Sequence, residues 1–222
     1  MIMSSSRSSF VSSILVVLLL IGATAVAIRH ARADVDTSPL LQQAVDTSPL
    51  LQQAMRFRVA VHKNKRTGLS IPIYHCRQAR EGCDKRLTEF AHYIIDAGEK
   101  NRVDPWLLAA MAFRESGMNP FVVGAVGELG ILQLHPKNPK VKSVRFVRDA
   151  YYRQRCRKEA GACQREVVDR AAEILARSLE KCDNDLYRAL GMYNSGKCGG
   201  SKSYADRILY ERDKLKDAVG LL

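Results

Sequence analysis

The 222-residue sequence lacks the features that mark metal-dependent or nucleic-acid chemistry. Its five histidines form no metal-spaced pair on one helix. Its six cysteines show none of the two-residue spacings that structural zinc sites favour. No zinc-finger pattern and no aromatic RNA-binding motif occurs. No alternating apolar–polar stretch of useful length appears, which argues against a sheet core. Residues 1–33 hold neither a cysteine, so no lipid-attachment site, nor an acidic residue.

Those first residues instead carry Arg7, an apolar run from Ile14 to Ile28 broken only by Gly22 and Thr24, and then Ala31-Arg32-Ala33. This order predicts a signal peptide over 1–33, cleaved before Asp34. The alternative is an uncleaved N-terminal anchor, although spanning needs about 20 apolar residues and the uninterrupted run is shorter. Either way the chain is expected to be exported, to the periplasm or cell envelope. In an oxidising compartment six cysteines default to disulfides. Cys76 and Cys83 enclose six residues, as do Cys156 and Cys163, and Cys182 and Cys198 enclose a longer stretch. Local pairing within these three couples is one of 15 possible connectivities. The formal charge of +12 favours polyanionic partners, which in an envelope are wall polymers and anionic lipids. Export makes nucleic acid an unsuitable partner.

Residues 35–44 and 45–54 are the same ten residues, Val-Asp-Thr-Ser-Pro-Leu-Leu-Gln-Gln-Ala, and 56–75 are basic without a sustained period. The whole of 34–75 therefore reads as a linker with little fixed structure. From Cys76 to the end at 222 the pattern is that of one all-α domain. Leu87, Phe90, Ala91, Ile94 and Ile95 form one apolar helix face. Asp104-Pro105 is a capping residue followed by a first-turn proline, and Gly117 and Pro120 stop the helix so begun. Further helices are expected over 143–159 and 164–181, from a cap at Asp183 or Asn184 to about Asn194, and from Tyr204 to Lys216.

Glu115 continues the apolar stripe of Leu108, Met111 and Ala112 at the end of its helix. Burial raises the pKa of a carboxyl, and a carboxyl still protonated near neutral pH can donate to a glycosidic oxygen. A glutamate swinging out to solvent would fit the stripe as well. The neighbouring motifs decide between them. Glu115-Ser116 is followed by Asn119-Pro120, by Gly127-Glu128-Leu129-Gly130-Ile131-Leu132-Gln133-Leu134 and by Pro136. Met192-Tyr193-Asn194-Ser195-Gly196 comes later, and Tyr204 opens the last helix. In this order, over residues 86–215, the chain resembles the soluble lytic transglycosylase (SLT) family, whose catalytic domain is lysozyme-like and of the goose-type lysozyme kind. Glu128 stands where that family commonly has alanine.

The resemblance implies a peptidoglycan-cleaving enzyme without a cofactor or metal. Glu115 would be the catalytic acid and base, forming 1,6-anhydroMurNAc ends. Tyr193 would hydrogen-bond Glu115. Gln133 and Asn194 would contact the sugar chain, Ser116 would position acid or substrate, and Gly127 and Gly130 would let the backbone approach the saccharide. Tyr204 completes the substrate-binding set. Glu128 and Asp149, the candidate second carboxylates, are read as solvated surface charges. Lys137, Lys140, Lys142, Arg145 and Arg148 form a basic run that could contribute to a groove for peptide-stem carboxylates. The competing readings are a water-using muramidase and a catalytically inactive glycan-binding envelope protein. An envelope-assembly or secretion-system partner fits either setting.

Overall fold

The computed structural model describes residues 47–60 and 82–222, which are helical with no strand among them. The predicted leader, the first repeat copy and Cys76 lie outside the described residues. The helices are α1 (Thr47–Ala60), α2 (Cys83–Asn101), α3 (Pro105–Ser116), α4 (Arg145–Arg148), α5 (Ala150–Arg155), α6 (Arg165–Lys181), α7 (Leu186–Ser195) and α8 (Lys202–Asp217). Short 3-10 turns lie at Pro139–Val141 and Ala162–Gln164.

The fold is built around α3. Every residue from Trp106 to Phe113 is buried, and a helix apolar on all sides belongs in a core. Asp104 starts it by accepting from Trp106 N at 2.9 Å, and Pro105 occupies the first turn. Gly117 ends it in the left-handed conformation, φ 61°, where a residue without Cβ is unstrained. Glu115 is thereby fixed in the last turn. The terminal helix α8 packs along α3, α2 lies on α3 and α6, and α7 bridges α6 and α8.

Several expectations need correction. The linker expected over 34–75 is partly helix: α1 buries Leu51, Ala54, Met55 and Val59 against α2 and α8. Its Arg58 makes a two-point ion pair with Glu211 of α8, through Nε to Oε1 and through Nη2 to Oε2 at 3.2 Å. The helix expected over 143–159 is two short ones. Asp149 breaks it in extended backbone and caps the second piece by accepting from Tyr152 N at 2.9 Å. The same amide holds its carboxyl below the usual range, so Asp149 serves as a helix cap. Neither Asp183 nor Asn184 caps α7. Both turn the chain in the left-handed region, φ 60° and 58°, which short polar residues tolerate. Asp185 makes the cap, accepting from Arg188 N at 3.0 Å.

Disulfides join Cys156 to Cys163 and Cys182 to Cys198. Cys83 is also disulfide-bonded, but its expected partner Cys76 is not among the described residues. The Cys182–Cys198 bridge ties together the two ends of the segment that contains α7. Within that segment Gly191 lets residues 199–200 close over the helix, since a Cβ there would meet Gly199 backbone at 2.9 Å.

Candidate active site

Glu115 opens into a cleft of about 370 Å³. One wall is the loop between α3 and the first 3-10 turn, which contributes Gly124, Ala125, Glu128, Gln133, Leu134, His135 and Asn138. Tyr193 and Asn194 of α7 and Ile174 of α6 form the other wall. The loop holds its shape because Leu129 pairs with Leu134 by reciprocal backbone bonds of 3.1 and 2.9 Å, and Gly124 N donates to Glu128 O at 2.9 Å.

Among the described residues the Glu115 carboxyl has one direct side-chain donor, Tyr204 Oη, at 2.7 Å from Oε1. The resemblance assigns this bond to Tyr193; the structure gives it to Tyr204. Tyr193 donates to Leu132 O at 3.2 Å, and its ring stacks on that of Tyr204 at 6.5 Å. The two phenols thus form a layered support, Tyr204 gripping the acid and Tyr193 fixing Tyr204 against the loop. Burial, and then the nearby Glu115 charge, push both phenols up, so each stays a proton donor.

Burial also raises Glu115 above the usual carboxyl range. The Tyr204 hydrogen bond opposes this, the Glu128 charge adds to it, and Arg114 and Arg207 pull the other way. Its place in the C-terminal turn of α3 acts in the same sense as burial, because the helix dipole is unfavourable to an anion there.

Gln133 sits in the cleft at φ 46°. Its Nε2 donates to Val122 O at 3.1 Å and Gly130 O at 2.9 Å, which leaves its amide oxygen as the acceptor on offer. Asn194 is exposed at the opposite wall. Ser116 does not line the cleft. Its hydroxyl donates to Ala112 O at 3.2 Å and Ile131 O at 2.9 Å, so it ties the end of α3 to the loop. Gly130 is buried away from the cleft. A Cβ there would meet Val167 Cγ1 at 2.8 Å, so its role is close packing on α6 at φ 80°. Gly124, which no motif singled out, is the loop glycine that lines the cleft.

Glu128 also lines the cleft, half-buried, with its Oε2 accepting from Val126 N at 3.1 Å. None of the basic run does. Lys142, Arg145 and Arg148 border a separate shallow surface with Asp149 and Tyr151. Arg145 lies over the Tyr152 ring at 4.4 Å and Arg148 donates to Lys142 O at 2.8 Å.

The pattern of the transglycosylase SLT domain matches residues 92–208, just over half of the chain. The chain belongs to the SLT transglycosylase family. Its all-α fold is the one this family predicts. No solved structure matches the chain. The matched SLT stretch runs from α2 into α8 and contains every described residue of the cleft. It omits α1 and the Glu211 that α1 holds. Among the described residues no helix is long and apolar enough to cross a membrane.

Proposed function

We propose that this SLT domain is a peptidoglycan lytic transglycosylase that cleaves the MurNAc-β-1,4-GlcNAc bond and leaves 1,6-anhydroMurNAc ends. Glu115 carries the reading: a largely buried carboxyl, biased toward its protonated form, held by one phenol at the edge of an open cleft. Such a group can act first as acid and then as base. Glu115 donates its proton to the glycosidic oxygen as the C1–O bond breaks. The N-acetyl carbonyl oxygen of the same sugar bonds to C1 and takes up its positive charge, the work of a second carboxylate in most glycosidases. The sugar's 6-hydroxyl oxygen then attacks C1, displaces the carbonyl oxygen and gives its proton back to Glu115. No water is consumed. Tyr204 donates to the carboxylate that exists between the two proton transfers. Gln133 and Asn194 hold the glycan from opposite walls. The substrate places the protein in the envelope, with residues 1–33 as the export signal and α1 as part of the catalytic domain.

The position of Glu128 favours one second reading, hydrolysis with Glu128 as base to a water. Mass spectrometry of muropeptides released in heavy-oxygen water separates the two. The expected products are unlabelled and lighter by one water than hydrolysed ends. Labelled reducing ends would establish hydrolysis instead.

Tyr204→Phe is expected to lower turnover by roughly 10–100-fold, since a hydrogen bond to a charged group contributes about 1.5–3 kcal/mol. Removing the phenol also removes an influence that lowers the Glu115 pKa, so the pH at which activity declines should move up. Tyr193→Phe leaves the Glu115 bond in place and should cost less. Equal losses in the two variants, measured as initial rates across pH, would remove Tyr204 from this role.

A further inference from the structure

We propose that Glu128 is a positioning residue whose carboxylate acts across the cleft on Glu115 and keeps the proton there. The inference rests on the reading of Glu115 as the proton-transferring group. Both carboxyls line one cleft, and among the described residues no lysine or arginine lines it with them, although the chain as a whole carries +12. Glu128 is held in place by the loop itself: its Oε2 accepts from Val126 N at 3.1 Å. Gly124 makes the space for it, since a Cβ at that position would lie 2.2 Å from Glu128 Oε2 and 2.7 Å from Gln133 Oε1. Gln133 offers no compensating donor, because Nε2 is committed to Val122 O and Gly130 O. Among the described residues the carboxylate of Glu128 therefore faces the cleft without a neutralising partner on its walls.

Other charged and phenolic groups surround Glu115 on three helices. Arg114 comes from α3, Tyr204 and Arg207 from α8, and Tyr193 from α7. Both arginines are exposed, where solvent screens them. His135 lines the same cleft, its Nδ1 accepting from Lys137 N at 3.1 Å. Against this background a negative charge at Glu128 disfavours a second one at Glu115, the more so because the carboxyl it acts on is largely buried.

The test is a carbon-13 NMR titration of the Glu115 side-chain carboxyl in the exported protein and in its Glu128→Gln and Glu128→Ala variants. Glutamine keeps the size and an acceptor for Val126 N while removing the charge. The expected result is a lower Glu115 midpoint in both variants. The difference should shrink in 1 M salt, where the Debye length is about 3 Å. An unchanged or higher midpoint overturns the proposal. In parallel, the declining limb of the pH–activity profile on purified wall should move to lower pH. If the wild-type protein leaves wall intact, the functional reading fails while the titration still decides what Glu128 does.

Discussion

Glu115→Gln is expected to abolish wall cleavage and, at neutral pH, to make the fold more stable. The amide keeps the shape of the side chain and an acceptor for Tyr204 Oη, but has no proton to transfer. General acid–base catalysis by one group contributes about 10²–10⁴-fold, and the proposed mechanism uses Glu115 in both steps. The stability gain follows from the direction of the pKa shift. Burial raises the folded-state value, whereas the unfolded chain titrates near the ordinary glutamate value of about 4.3. Below that pH both states hold the proton and Glu115 costs nothing. As pH rises further, the unfolded chain loses its proton while the folded protein keeps its own, so stability falls. The loss is complete once pH passes the folded-state midpoint. Glutamine never ionises and escapes the penalty. Melting curves of the two proteins should coincide near pH 3 and separate as pH rises, with the variant higher. Coincident curves at pH 7 would contradict the account of Glu115 as a carboxyl buried at a cost. Retained release of soluble glycan would remove it from the chemistry.

Two kinds of information in the sequence had different reach. The ends of α3 were legible because Asp104, Pro105 and Gly117 act on the backbone next to them. The stripe of α6 was legible because seventeen residues repeat its period. The contacts within the cleft were less so. Motif order identifies the family, yet whether Tyr193 or Tyr204 reaches Glu115 depends on how α7 and α8 lie against α3. Gly130 and Gly124 look alike in sequence. Only the packing shows that one meets Val167 while the other makes room for Glu128. Helix α1 was hidden for a third reason. Its buried residues, Leu51, Ala54, Met55 and Val59, cover little more than two turns among Ser, Pro and basic residues. Such a short helix is marginal by itself. Most of what holds it comes from partners on α2 and α8, the latter some 150 residues away in sequence.

That dependence makes Arg58 the position where a surface-like substitution should cost most. Glu211 is 2% exposed and faces Arg58, whose guanidinium also lies 5.8 Å from the Phe113 ring centre. Arg58→Met strands a buried carboxylate, and breaking a buried pair this way costs about 3–5 kcal/mol. In a domain of this size that is a fall in Tm of roughly 10 °C. The reverse change should be milder. Glu211→Leu leaves an arginine whose side chain is already 30% exposed and can turn to water. The double variant should be more stable than Arg58→Met alone, because the apolar pair leaves no charge buried. Denaturant unfolding of the four proteins gives this ordering directly. A cost below about 1 kcal/mol for Arg58→Met, the range of an exposed pair, would show that α1 is not held by this contact. The effect should also reach the cleft. Tyr204, Ile208, Glu211 and Leu215 form one buried stripe on α8, so the residue gripping Glu115 and the residue gripped by α1 share a rigid face. Loosening α1 frees that face to shift, and turnover by the folded fraction of Arg58→Met should fall although Arg58 touches nothing in the cleft.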